Sequence, residues 1–234
     1  ERYSLASLIA DTNWQSLKGG CTLLIYTTGE DYVDLISRTK RLKAAGIEVM
    51  LRLIPQDVMA LENTHFLNKY WVLGTAHNAC IQIAGKTGQA FHMYQPDHIY
   101  TDGYFDALRR LSVGRDGILQ SGLSANIATA TPELERYRKS NGAIAAPETD
   151  LNDIGFRNMH LQHKSLLMNG RNLTDRLPAL SWLCWRGTDY ALIASPHVNP
   201  SYMSPKACLE APSRIPATID AECPSLVPSN WHMA

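Results

Sequence analysis

No sign of charge predominates in this chain. Its 22 Lys and Arg balance 22 Asp and Glu, and the isoelectric point lies near 7.3. That balance provides no uniform field toward a polyphosphate backbone or an anionic membrane, so nucleic acid is not an expected partner. No apolar run reaches the roughly 18–20 residues needed to cross a bilayer, and no transmembrane segment is expected. Paired cysteines are also lacking. The five, Cys21, Cys80, Cys184, Cys208 and Cys223, are odd in number, scattered and without a C-x-x-C spacing. This argues against a disulfide framework and a structural zinc site, and it fits a reducing cytoplasm. There is no solenoid-like repeat and no low-complexity segment. Residues 1–10 lack the basic region and long apolar centre of a secretory signal. Leu5, Leu8 and Ile9 instead stand at helical spacing, and an opening in mid-helix leads us to expect a further segment upstream.

What is present alternates between two periods. Cys21–Thr28 is a short apolar run rich in β-formers, bounded by Gly19-Gly20 and Gly29, and reads as a buried strand. Tyr32, Val33, Leu35 and Ile36 open a helix that runs to Leu42 and stops at Ala45-Gly46, after which residues 47–54 give a second strand. Such a β-α-β unit implies a parallel sheet with a right-handed crossover. A helix is expected from about Met59 to Ala84, a third strand at 90–94 and a helix from Tyr104 to Leu111. A fourth strand is expected at 117–123, a helix starting at Thr131-Pro132, and another from Thr149-Asp150 to Met168. The last strand expected is 190–194. The alternation defines an α/β class with a mainly parallel central sheet and flanking helices. Residues 1–200 form its domain, and 201–234 read as a proline-rich tail on the surface.

Ligands of open parallel sheets lie beyond the carboxyl ends of the strands, so the polar segments there are the candidate sites. The most informative is Phe91-His92-Met93-Tyr94-Gln95-Pro96-Asp97, followed by His98 to Asp102 and a short helix. It resembles the region of GT-A glycosyltransferases in which an apolar strand ends in Asp-x-Asp. The preceding helix, with Asn68-Lys69-Tyr70 near its start and His77 to Ala84 near its end, is similar to theirs. Ser4–Leu8 is similar to the helix after their first nucleotide-binding strand, which would then lie upstream of this chain.

The resemblance spans roughly residues 1–125 and implies a nucleotide-sugar-dependent transferase acting on a polysaccharide or glycoconjugate in bacteria. Asp97 would match the second aspartate of the motif, with Gln95 in place of the first. In such a motif a carboxylate holds Mn²⁺ or Mg²⁺ against the donor diphosphate. Gln95 offers a carbonyl oxygen and no charge, so a metal requirement is not fixed by the sequence. The plainer alternative is that Asp97 caps a turn.

His197, after the last strand, resembles the C-terminal histidine that many of these enzymes return to the metal or diphosphate; otherwise it is a loop residue between two prolines. Glu148 and Asp150 are candidates for the base that deprotonates an acceptor hydroxyl, or else helix-capping acids. His160 and His163 share a helical spacing compatible with two metal ligands, with simple packing as the alternative. Gly122-Leu123-Ser124-Ala125-Asn126 faintly matches the hydrolase nucleophile elbow, which would pair Ser124 with His197, although Asn126 stands where the final glycine belongs. A catalytically silent binding domain of the same fold is the reading from a different class.

Overall fold

The structure, a computed structural model, describes residues 3–62, 68–120, 122–165, 181–186, 190–195, 199–211 and 232–233. Two short helices, α1 (Ser4–Leu8) and α2 (Asp11–Leu17), lead into strand β1 (Thr22–Thr27), helix α3 (Gly29–Ala44) and strand β2 (Glu48–Leu53). The β1–α3–β2 unit forms as its sequence dictates. Thr28 caps α3 by accepting the Asp31 N–H at 3.3 Å, and Gly46 leaves the helix at φ 81°, a conformation that disfavours a side chain. β1 and β2 pair in parallel from Thr22↔Glu48 to Thr27↔Leu53. Leu23, Leu42, Ile47 and Val49 close the core between sheet and helix, together with Leu8, Leu17 and Tyr100.

Beyond this unit the sheet is not the continuous, mainly parallel one expected. β3 (Gly117–Gln120) lies between β6 (Asn199–Met203), to which it is antiparallel, and β7 (His232–Met233), to which it is parallel. The expected strand at 90–94 is reduced to one antiparallel bridge, Phe91↔Met203. Among the described residues Phe91 and Met203 exchange both backbone bonds and the Met93 N–H bonds Pro200 O, which is too short a ladder for a strand. Residues 190–194 do form a strand, β5 (Tyr190–Ser195), but it pairs with β4 (Ser181–Arg186) as an antiparallel hairpin. Among the described residues the architecture is mixed α/β, with a small two-stranded parallel sheet of β1 and β2.

The helices depart from expectation in equally local ways. Of the long helix expected from about Met59 to Ala84, the described residues form α4 (Gln56–Glu62) and α5 (Asn68–Thr87), and residues 63–67 lie outside them. α6 (Tyr104–Leu111) lies where expected. α7 (Ile127–Leu134) starts ahead of Thr131 because Asn126 caps it, accepting the Ala128 N–H at 3.0 Å. The helix expected to reach Met168 stops after α8 (Glu148–Arg157) and resumes as α9 (Leu161–Ser165). Asn158 makes the break: its side-chain amide donates to Ile154 O and to Glu133 Oε1, and its carbonyl accepts the Asn126 N–H at 2.7 Å. A mid-pattern Asn diverts backbone bonding from the helix in this way.

The largest correction concerns the tail. Residues 199–211 are not simply draped on the surface: β6 sits beside β3, and α10 (Pro205–Glu210) packs on α5 with Met203, Ala207 and Cys208 buried against Ile81, Ala84 and Met93, while Lys206, Leu209 and Glu210 stay exposed. Proline suggested a surface tail, yet Pro205 stands at the first turn of α10, where its missing N–H costs nothing. Ser204 caps that helix, accepting the Ala207 N–H at 3.1 Å while donating to Asp116 Oδ1 at 3.0 Å.

Candidate functional site

The segment from His92 to Phe105 is fastened from behind by α1 and α2 through buried polar side chains. Ser4 Oγ lies 2.6 Å from the Tyr94 hydroxyl and donates to Gln95 O at 3.3 Å. Ser7 Oγ donates to Ser4 O at 2.7 Å and accepts the Tyr100 N–H at 3.1 Å. Asn13 is fully buried: its amide donates to Ser7 O and Thr101 O, and its Oδ1 accepts the Phe105 N–H. Asp102 accepts the Thr12 N–H at 3.2 Å. A loop that would otherwise bury its own backbone groups unsatisfied is thus held in one conformation. Replacing Asn13 by alanine is expected to cost about 2 kcal/mol, because buried partners lose their bonds without access to water. Chemical denaturation of Asn13→Ala checks this.

The same segment carries a compact imidazole and phenol cluster. His92 meets Tyr100, Tyr104 and Phe105 with ring centroids 5.4–5.8 Å apart, and Tyr94 stacks on Tyr100 at 5.8 Å. His92 Nδ1 donates to Ser201 O at 2.6 Å, so Nε2 carries the lone pair and faces the Tyr100 hydroxyl at 3.3 Å. Tyr104 and Ser201 both donate to Gln120 Oε1 at 2.7 Å, which ties the cluster to β3 and β6. Burial pushes the His92 imidazole down to about 4, outweighing the Ser201 bond that favours the cation. It raises Tyr104 to about 12 and Tyr100 well above the ordinary phenol value. At neutral pH the cluster is therefore uncharged.

Of the residues singled out in sequence, Gln95 and Asp97 flank the turn that ends this segment, in which the His98 N–H bonds Gln95 O at 3.1 Å. The Asp97 carboxylate is exposed and makes no hydrogen bond or ion pair among the described residues. Next to it, His98 has its imidazole lowered by burial and partly restored by the Asp97 charge. A Cβ on Gly122, in the loop after β3, would lie 3.9 Å from His98 Nε2. Asp97, His98 and Gly122 thus share one edge of the molecule, where the turn after residues 91–94 meets the loop after β3. His197 lies outside the described residues, so its approach to Asp97 is not part of the described geometry.

Of the other candidates, Asp150 and the histidine pair have structural work. Asp150 accepts the Tyr137 hydroxyl at 2.8 Å, joining α8 to the 3₁₀ turn Glu135–Tyr137, while Glu148 is exposed in the first turn of α8. Neither is bonded to the 95–98 turn. His163 is buried and accepts the Ser124 backbone N–H at Nδ1, 2.8 Å away, while His160 donates its backbone N–H to Ser124 O. The histidine pair therefore clamps the segment around Ser124. That segment is extended, bridges Ala125 to Met159 and leads into the Asn126 cap, so no strained strand-to-helix elbow presents Ser124 as a nucleophile. Among the described residues no three His, Cys, Asp or Glu side chains converge as a metal site.

Sequence reasoning did not single out Ser4, Ser7, Asn13, His92 or His98 as site residues. Ser4 and Ser7 stand at helical spacing beside Leu5 and Leu8, and burial of both faces of so short a helix was the signal available. Comparisons with known protein families, with curated proteins and with solved structures find no match. No helix among the described residues is long and apolar enough to cross a membrane.

Proposed function

We propose that this chain is a GT-A-type glycosyltransferase domain whose nucleotide-sugar donor is held at the Gln95–His98 turn, with a glycan or glycoconjugate as acceptor. The observation that carries the reading is the Asp97 carboxylate, exposed at a turn fixed from behind by Ser4 and adjoined by His98 and the loop after β3. An acid whose backbone is already immobilised loses little entropy on binding a cation, and a divalent ion there would neutralise a diphosphate. The β1–α3–β2 parallel unit and the turn after residues 91–94 supply the element order this requires. Mn²⁺ or Mg²⁺ would be held by Asp97, with the Gln95 carbonyl and His197 as further donors. Glu148 stays the candidate base, since the Asp150 oxygen is engaged by Tyr137.

A catalytically silent binding domain is the second reading. It is favoured by Gln95, which brings no charge, and by the engagement of Asp150 in packing.

Titration calorimetry with uridine, guanosine and cytidine diphosphates, with and without Mn²⁺, tests the proposal. Asp97→Ala is expected to weaken diphosphate binding at least tenfold, about 1.4 kcal/mol, with an unchanged thermal melt. Gln95→Asp should strengthen the Mn²⁺ dependence. Equal affinity in a folded Asp97→Ala variant, or no diphosphate binding by the unaltered chain, removes the donor site from this turn. Sugar transfer from a donor that binds then separates an active domain from a silent one.

A further inference from the structure

Helix α3 presents to solvent a face on which the two signs of charge are sorted by end. Leu35, Thr39 and Leu42 turn inward and are buried. On the other side Glu30, Val33, Ser37, Lys40 and Ala44 follow a three-four spacing, so they stand in one row, and all five are exposed. Val33 keeps 74% of its surface in solvent and Ile36, beside the row, keeps 38%. Arg41 marks one border of this face, its guanidinium lying against Gly142. The acids Glu30 and Asp34 belong to the first half of the helix, and Lys40, Arg41 and Lys43 to the second.

The helix macrodipole by itself favours acids at the start of a helix and bases at its end. It gives no reason for Val33 and Ile36 between them, since β-branched residues are mediocre helix formers and here bury nothing in return. An apolar centre flanked by one charge sign at each end is the layout of a contact surface, with complementary charges setting the partner and its direction.

We infer that this face of α3 docks a second copy of the chain, with the two α3 helices antiparallel about a twofold axis near Ile36 and Ser37. In a twofold contact each residue meets the image of its opposite number, so the same surface must complement itself. Antiparallel packing achieves this: Glu30 stands opposite the partner's Lys43 and Asp34 close to the partner's Lys40, while Val33 and Ile36 cover each other at the centre. Parallel packing would set acid on acid and base on base. Asp34 also holds Arg38 at 2.6 Å within its own helix, and its carboxylate has lone pairs for a second donor. One helix face of 16 residues, about 24 Å long, is smaller than the roughly 800 Å² per partner of a standard interface, so the pair is weak and governed by its charges. The inference does not rest on the transferase reading.

The test is sedimentation velocity of the full chain up to about 1 mM, the weak end of measurable affinity. The unaltered protein is expected to form a dimer that loosens at least fivefold when salt is raised to about 1 M, where the screening length falls to a few ångströms. Two double variants give α3 a single sign: Glu30→Lys with Asp34→Lys, and Lys40→Glu with Lys43→Glu. Each alone should lose at least tenfold in self-association while its thermal melt still shows a folded chain. An equimolar mixture of the two should regain it as a heterodimer. Adding Val33→Ser and Ile36→Ser to both members should abolish that pairing, which separates this contact from general attraction between oppositely charged chains. Ser37→Cys leaves the charges alone and should join two chains by a disulfide on mild oxidation at least tenfold faster than the unaltered chain does. Any of four results overturns the inference: a monomer at every concentration, self-association indifferent to both charge reversals, a mixture that pairs equally well without Val33 and Ile36, or no added cross-linking through Ser37→Cys.

Discussion

Acidification from pH 6.5 to 4 is expected to remove about 3 kcal/mol of folding stability through His92 alone. The unfolded chain takes up this proton near 6.5 and the folded chain only near 4, so unfolding binds a proton throughout that window. The contribution is fully present above pH 6.5 and is lost as pH falls, at about 1.4 kcal/mol per pH unit. His98, also lowered by burial, adds in the same direction. His92→Asn retains an amide donor toward Ser201 O and cannot titrate. Its denaturation free energy, measured from pH 7.5 to 4, should lack the extra decline of the unaltered protein. Parallel curves for the two would show that His92 is already protonated, or freely exchanging its proton, in the folded state.

Gly85→Val is expected to destabilise the fold by about 3 kcal/mol, and Gly85→Ala by somewhat less, the range in which overpacked cores fall. Glycine inside a helix is itself unfavourable by about 1 kcal/mol relative to alanine, so an exposed position would improve on substitution. Here a Cβ would stand 3.0 Å from Leu209 N and 3.1 Å from the Cys208 carbonyl carbon, both backbone atoms of α10. Backbone cannot swing aside as a side-chain tip does, so α10 must move off α5 and take Cys208 and Ala207 from the core. Urea titration reads the loss. A Gly85→Ala variant as stable as the original would mean that α10 slides on α5 without cost.

Local elements were legible in the sequence where one short-range rule decides them. β1, α3 and β2 emerge from an apolar run, the helical spacing from Tyr32 to Leu42 and a stop at Gly46, each within a few residues of its consequence, whereas the cap at Thr28 was shown by the structure alone. The turn at Gln95–Asp97 was legible for the same reason. The pairing of β3 was not, because its partners lie far along the chain and leave no trace in its own four residues. Asn158 was a helix residue by pattern and a breaker in fact, since its side chain finds Glu133 only in three dimensions. The proline-rich stretch after Pro200 shows how composition misleads: three small or apolar residues, Met203, Ala207 and Cys208, outweigh it once α5 is beside them. The histidines divide similarly. His160 and His163 carry the spacing of ligands but support a loop, whereas His98, without any motif, stands beside the candidate carboxylate.

The placement of β3 bears on how the molecule is made. During synthesis β1, α3 and β2 leave the ribosome together and can close their own small core at once. β3 must wait for β6, since its Gln120 finds Ser201 only 81 residues later, and for β7 still further on. Until then Ile118 and Leu119, buried in the finished fold, are exposed on a nascent chain with both strand edges open. Such edges invite pairing with other chains, so slow translation between Gln120 and Asn199 should lower the soluble yield more than an equal delay before Thr22.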